Sequence, residues 1–196
     1  MLDLQAKTLF KIPPILEGQV EESLCQAILH SAYDAQSKDP SGQPVSSAGG
    51  WQSQSFRGGA YDSMDHLIDN FLTPAAVQIY NKFGLRENVT FDNYWFNINQ
   101  RYNYNQSHIH PGSFLSGVLY LKVPENSGNI KFYNPDPFEH QLIPVNKYSR
   151  EFPGSYSIVP TVGKLIFFPS YFSHSVTQNL TEEQDDRRIS VSFNLR

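Results

Sequence analysis

At 196 residues the chain is long enough to bury a core as one domain, 1–196, without staples. Only 17% of residues are charged and 14% are aromatic, and 13 Pro and 12 Gly punctuate the chain, a composition of strands and turns. The formal net charge of -4 and the lack of any Lys/Arg-rich run disfavour nucleic acid as a partner. One cysteine, Cys25, excludes an internal disulfide, no apolar run approaches a membrane span, and "MLDLQAKTLF" has no leader-like character, so a soluble, cytoplasmic protein is expected.

Residues 1–90 read as a helical N-terminal part. In "EGQVEESLCQAILHSAYDA", 17–35, Val20, Leu24, Ala27, Ile28 and Ala32 recur at helical spacing while Glu21, Glu22 and Gln26 fall on the wet side, which predicts an amphipathic helix. Residues 36–60 are rich in Ser, Gly and Pro without a period. They predict a long loop, which Trp51 and Phe56 pin to the core. A second helical zone follows, in which Ser63 caps a turn carrying Leu67, Ile68 and Phe71, and Thr73-Pro74 restarts a helix that runs through Phe83 and stops at Gly84.

Beyond residue 90 the period changes to two. "YWFNINQRY" sets Tyr94, Phe96 and Ile98 against Trp95, Asn97 and Asn99, and "SGVLYLK", "GNIKFYN", "KLIFFPS" and "ISVSFNLR" read as further strands separated by turns such as "PENSGN" and "NPDPFE". The fold class expected is mainly β: a jelly-roll or barrel over 93–196, with the N-terminal helices packed outside one sheet.

Three features carry chemistry. In "SHIHPGSFLSGVLYL", His108 and His110 stand two apart at the mouth of an apolar run, so in an extended segment both imidazoles point the same way, a chelating arrangement suited to Fe, Zn, Cu or Ni. An isolated pair of this kind is more often an ordinary surface feature. In "GKLIFFPSYFSHSV", His174 follows an apolar strand broken by a proline, which puts it at a rim or in a pocket, or makes it a core histidine satisfied by a carbonyl. In "RRISVSFNLR", Ile189, Val191, Phe193 and Leu195 form one face and Arg188, Ser190, Ser192 and Asn194 the other. That polar face is either a solvent-facing edge or a carboxylate clamp, in which the guanidinium binds bidentately and the hydroxyl two residues on assists.

Together "HIHP", "SGVLYL", "FFPSYFSHSV" and "RRISVSFN" resemble the iron(II)- and 2-oxoglutarate-dependent oxygenases, over roughly residues 93–196. The pattern is similar to that of small oxygenases of this type from phages and marine bacteria, and "GGWQS" at 49–53 extends the likeness. The resemblance implies a double-stranded β-helix and a dioxygenase that couples oxidation of a substrate by O2, most simply a hydroxylation, to conversion of 2-oxoglutarate into succinate and CO2. It implies His108 and His174 as ligands of Fe(II), Arg188 with Ser190 as the clamp on the 2-oxoglutarate carboxylate, and Tyr120 as a further contact to it. The superfamily has a carboxylate where this chain has His110. Either His110 is the third ligand, the reading ranked first, or it stands behind the metal while a carboxylate comes from elsewhere, for instance Asp136, or is missing. Phe132, Phe167, Phe168 and Tyr171 are candidates for an apolar shell, and strand alternation alone adds Asn97 and Tyr104 to the pocket.

Two rivals stand beside this reading. A cupin-like three-histidine iron protein would work without 2-oxoglutarate, but Phe114 stands where that pattern wants glutamate, and Arg188 would have no carboxylate to hold. A non-catalytic jelly-roll binding protein would carry the histidines as ordinary polar residues. The substrate, a small molecule or a protein, and the oligomeric state are left open by the sequence.

Overall fold

The computed structural model describes residues 13–43, 45–84, 89–135 and 154–196. The first element is a strand, β1 (Leu16–Gln19), and the helix α1 begins only at Glu22 and runs to Lys38. Its start lies later than the apolar spacing predicts because Leu16–Gln19 is claimed by long-range pairing with residues 164–167, which no local window reveals. α1 buries Leu24, Cys25, Ile28, Ala32 and Ala35 along one face. The Ser/Gly/Pro-rich stretch is less formless than its composition suggests. It contributes two short strands, β2 (Ser47–Ala48) and β3 (Trp51–Gln52), and is pinned as expected: the Trp51 indole N–H donates to the Asp39 carbonyl at 2.9 Å, and Phe56 packs among Tyr61, Tyr94 and Phe96.

The second helical zone is continuous. α2 (Asp62–Leu67) passes through a π turn, Ile68–Leu72, into α3 (Thr73–Lys82). Pro74, which has no N–H to give, lies just past the π turn, so the widened turn takes the place of the expected restart. Ser63 does not cap α2. Tyr61 holds the capping position, and the Ser63 hydroxyl instead meets Ser31 Oγ of α1 at 2.8 Å.

The strands β4 (Phe91–Asn99), β5 (Tyr104–His108), β6 (Leu115–Lys122), β7 (Ile130–Tyr133), β8 (Ser155–Ile158), β9 (Lys164–Pro169), β10 (His174–Val176) and β11 (Arg188–Leu195) complete two antiparallel sheets. The larger runs β1-β9-β6-β11-β4-β3 and the smaller β2-β5-β10-β7-β8. This is the expected double-stranded β-helix, with helices against the outer face of the larger sheet. The period of two divides the core: Tyr94, Phe96, Ile98, Ile189, Val191, Phe193 and Leu195 face the helices, whereas Val118, Tyr120, Ile130, Phe132, Ile166 and Phe168 lie between the sheets. Gly117 in "SGVLYL" is required by this packing, since a Cβ there would stand 2.3 Å from the Phe193 ring and 2.5 Å from the Ile166 carbonyl.

β11 is an interior strand, flanked by β4 and β6. Its polar face is therefore not a wet edge. Arg188, Ser190 and Asn194 are all buried, with Arg188 only 2% exposed, and the face looks into the space between the sheets.

Candidate metal centre and co-substrate pocket

Antiparallel pairing of β5 with β10 sets His108 directly opposite His174, and β7 places Phe132 on the other side of His174. His110 lies two residues past His108, just beyond the strand, where its backbone N–H donates to the Ser170 carbonyl at 2.9 Å. The three rings converge, with centroids 4.3 Å apart for His108 and His174, 5.2 Å for His108 and His110, and 5.0 Å for His110 and His174. One ring nitrogen from each lies within 4.8 Å of the others.

Which nitrogens converge follows from the hydrogen bonds behind the rings. His108 Nδ1 is 2.7 Å from the Gln106 carbonyl and His174 Nδ1 is 2.9 Å from the Phe172 carbonyl; a carbonyl only accepts, so each Nδ1 carries the proton. His110 Nδ1 meets Asn194 Oδ1 at 2.8 Å and Ser116 Oγ at 2.9 Å. That leaves three Nε2 lone pairs facing one another. His110 Nε2 is buried and has no partner among the described residues, which a metal ion would supply. Burial, reinforced by His108, pulls His174 down to about 3, and burial pulls His110 down to about 4 against the opposing Asn194 bond, so both are neutral ligands at pH 7. Neutral imidazoles in this arrangement fit iron(II). Among the described residues no carboxylate joins the cluster, and Asp136 lies outside them.

The opposite wall is the polar face of β11. Across the larger sheet, Asn97 of β4, Ser190 of β11 and Tyr120 of β6 stand side by side, and all three line the cavity that the histidines open onto, as does Arg188. Arg188 Nη1 donates to the Ser127 carbonyl and, at 3.4 Å, to that of Thr177. It makes no ion pair among the described residues, and burial pulls it down to about 10, still a cation at neutral pH. Room for it depends on Gly128, at φ +92°, whose Cβ would stand 2.8 Å from Nη1 and 2.2 Å from the Thr177 carbonyl. Tyr120 OH is buried without a partner among the described residues, and burial pushes it up to about 12, so it is a protonated donor. A buried guanidinium and an unused phenol in one polar cavity amount to a receptor for an anion that accepts hydrogen bonds.

One expected pocket residue lies elsewhere. Tyr104 is 40% exposed and lines a groove on the outer surface of the smaller sheet. Between the pairs His174/His108 and Val176/Asn105 the register shifts, so three steps along β5 oppose two along β10. This bulge reverses the alternation and turns Asn105 inward in place of Tyr104. Of the aromatic shell, Phe168 lines the cavity and Phe132 packs on Phe168 and His174, whereas Phe167 faces the helices against Phe193 and Tyr171 is 55% exposed. Trp95 and Ser192 also line the cavity, as the alternation of their strands implies, whereas Ser116 and Ser170 lie within "SGVLYL" and "FFPSYFSHSV" but nothing local to them points to His110. Outside His108 and His110 a groove of about 400 Å3 opens between Val45, Gln52, Gln106 and Ile109, sharing Ser46 and Trp95 with the inner cavity.

A jelly roll with convergent imidazoles on one sheet and a buried guanidinium on the other has the layout of a non-haem metal oxygenase that takes a 2-oxo acid. Residues 93–194, over half of the chain, match the family described as "Putative 2OG-Fe(II) oxygenase", and the chain belongs to that family. It is accordingly an oxidoreductase dependent on iron(II), 2-oxoglutarate and O2. Among solved structures it is similar to a prolyl-4-hydroxylase from Pseudomonas putida, at 16% identity and TM-score 0.67, covering 93% of this chain and 91% of that one. It is also similar to a viral collagen prolyl hydroxylase from Paramecium Bursaria Chlorella virus-1 in complex with 2OG, at 14% identity and TM-score 0.62, covering 93% and 95%. A third is HygX from Streptomyces hygroscopicus with nickel and 2-oxoglutarate bound, at 11% identity and TM-score 0.58, covering 92% and 82%. At such identities these likenesses carry the fold alone. No curated protein matches the chain in sequence.

Proposed function

We propose that His108, His110 and His174 hold the iron, and that Arg188, Ser190 and Tyr120 hold the remote carboxylate of 2-oxoglutarate, with Asn97 beside them. The observation that carries this reading is the pairing of three Nε2 lone pairs gathered at one sheet with a buried guanidinium on the other that has no ion-pair partner among the described residues, both lining one cavity. Bound iron(II) supplies the redox chemistry by which O2 oxidises substrate and co-substrate together, giving oxidised substrate, succinate and CO2. The protein's own part is positional. Gln106, Phe172 and Asn194 hold the imidazoles as Nδ1–H tautomers, Arg188 and the Tyr120 hydroxyl fix one end of the 2-oxo acid so that its other end faces the histidines, and Phe168 and Val118 keep the space between dry.

The substrate reaches the centre along the outer groove. Among its described lining residues there are amides, hydroxyls and the Val45, Ile109 and Trp95 side chains but no Asp, Glu, Lys or Arg that could pair with a charge, so it suits an uncharged substrate moiety. In this reading the chain works as one domain, 1–196, and the buried, unpaired Cys25 is in keeping with a reducing, cytoplasmic setting. The cupin alternative leaves Arg188 without a role, and the family match goes against it and against a binding protein without catalysis.

Anaerobic titration with Fe(II) tests the site, with one equivalent expected. Aerobic incubation with 2-oxoglutarate alone should then yield succinate slowly, above a His174→Ala control. Succinate no higher than in that control would refute the reading.

A further inference from the structure

We propose that Asn194 is the positioning residue that makes His110 a metal ligand, acting with Ser116 and Ser170 as a side-chain counterpart to the backbone carbonyls that orient His108 and His174. This rests on the three-histidine reading above and adds to it a reason why the third imidazole can stand where the superfamily has a carboxylate.

The three histidines are not held alike. His108 and His174 each donate Nδ1–H to the carbonyl two residues earlier, so their tautomer and ring direction belong to the main chain. His110 lies outside the ladder, beside exposed Ile109 and Pro111 and just before Gly112 at φ +84°, and its Nδ1 has only side chains to bond. Of these, Asn194 alone presents an atom that cannot donate. Its Nδ2 is spent on Asn93 Oδ1 at 2.9 Å, and Asn93 Nδ2 in turn donates to Ser55 Oγ at 2.7 Å, so the amide is oriented with Oδ1 toward the ring. Ser116 Oγ donates to the same Oδ1 at 2.8 Å and lies 2.7 Å from Ser170 Oγ, which accounts for its proton and leaves its lone pairs for Nδ1–H of His110 and the hydroxyl of Ser170.

With Asn93 and Asn194 in this orientation the protons follow. Asn194 Oδ1 accepts from Nδ1, Nδ1 is therefore protonated, and the Nε2 lone pair is delivered to the cluster. Ser116, Ser170 and Asn194 are buried, so water does not compete for these bonds. An amide oxygen orients the imidazole without adding charge, whereas a carboxylate in its place would also raise the ring's basicity.

The test is binding of Co(II) alone, followed by calorimetry and by the visible ligand-field bands, in the full chain and in N194A, N194D, S116A and H110A. Partner removal at a metal-bound histidine typically costs about 10–100-fold in affinity. N194A should show a loss of that order with altered bands, while its metal-free unfolding midpoint reports whether the fold is kept. N194D preserves an acceptor, and Asn93 can turn its amide to donate to the new carboxylate, so affinity should return to within a few-fold of the parent with the bands shifted by the stronger donor. S116A should lose less than N194A. If N194A does not fold, a band shift in N194D with near-parent affinity still supports the proposal. N194A with parent affinity and bands, beside an H110A that has lost both, overturns the proposal and leaves the three-histidine site standing; N194D as weak as N194A, or with unshifted bands, overturns it too. H110A that binds Co(II) like the parent would instead overturn the three-histidine site itself.

Discussion

Arg188 carries a charge into a place that offers it two carbonyl oxygens and, among the described residues, no carboxylate. Burying an ion without a counter-ion costs several kcal/mol, and exchange of buried ions for apolar groups of like volume is often neutral or stabilising. The charge is thus retained at a cost in stability, which binding of a dianion offsets. Arg188→Met should leave the ligand-free protein within about 1 kcal/mol of the parent, relief of the charge offsetting the loss of the two hydrogen bonds. The parent should gain about 2.7 kcal/mol from 2-oxoglutarate at 100-fold over its dissociation constant. For a domain of this size that is a rise of roughly 5–10 °C in unfolding temperature. The variant should show none of that rise and still bind metal. Thermal unfolding with and without the co-substrate checks both statements, and a variant that is badly destabilised on its own would make Arg188 a structural residue instead.

The elements that build the site were legible in the sequence to different degrees. β4 and β11 announce themselves through the period of two and β6 and β9 as short apolar runs, and the polar face of β11 is visible as Arg188, Ser190, Ser192 and Asn194 because alternation is a property of the chain itself. That this face is interior depends on β4 and β6 flanking it, a pairing between residues about 70 to 100 apart that no local pattern encodes. The bulge in β5 is of the same kind, and so is the switch from Tyr104 to Asn105 that it causes. The hydrogen-bond network behind His110 joins positions 55, 93, 116, 170 and 194, which come close only once the sheets have formed. The turn before β7 is a feature of this long-range sort that can be probed directly. Gly128 brings the Ser127 carbonyl to Arg188 and leaves no space for a Cβ between Nη1 and the Thr177 carbonyl. Gly128→Ala combines strain at φ +92° with displacement of the guanidinium, and it should weaken 2-oxoglutarate at least 10-fold while leaving Co(II) affinity close to that of the parent. Calorimetric titration of each ligand separates the two effects, and equal loss of both would place the damage in the fold.

At the scale of the whole molecule, the buried histidines tie the stability of the metal-free protein to pH. His110 is drawn down to about 4 and His174 to about 3, in both cases chiefly by burial, while in the unfolded chain each returns to about 6.5. Below that value the unfolded state binds more protons than the folded one, so the stability present above pH 6.5 is lost progressively as pH falls toward the folded values. With both rings contributing, the slope reaches about 2.5 kcal/mol per pH unit near pH 5, where the unfolded rings are almost fully protonated and the folded ones almost fully neutral. Carboxylates act in a lower window. Asp185, which Arg187 and Lys122 hold well below the usual carboxylate range, adds its share only where an unfolded aspartate begins to protonate, below about pH 5. Denaturant unfolding of metal-free protein from pH 7.5 to 4.5 should therefore show a decline that His110→Asn with His174→Asn largely removes. Metal binds the same neutral rings, and in the folded chain His110 and His174 stay neutral until the pH nears their folded values, so the stability added by Co(II) should persist from pH 7 to 5 as far as these two rings decide it and fall away only toward pH 4. A parent and double variant with the same slope across this window would mean that these imidazoles are as exposed to solvent when folded as when unfolded, and that the enclosed centre between the sheets does not exist in the metal-free protein.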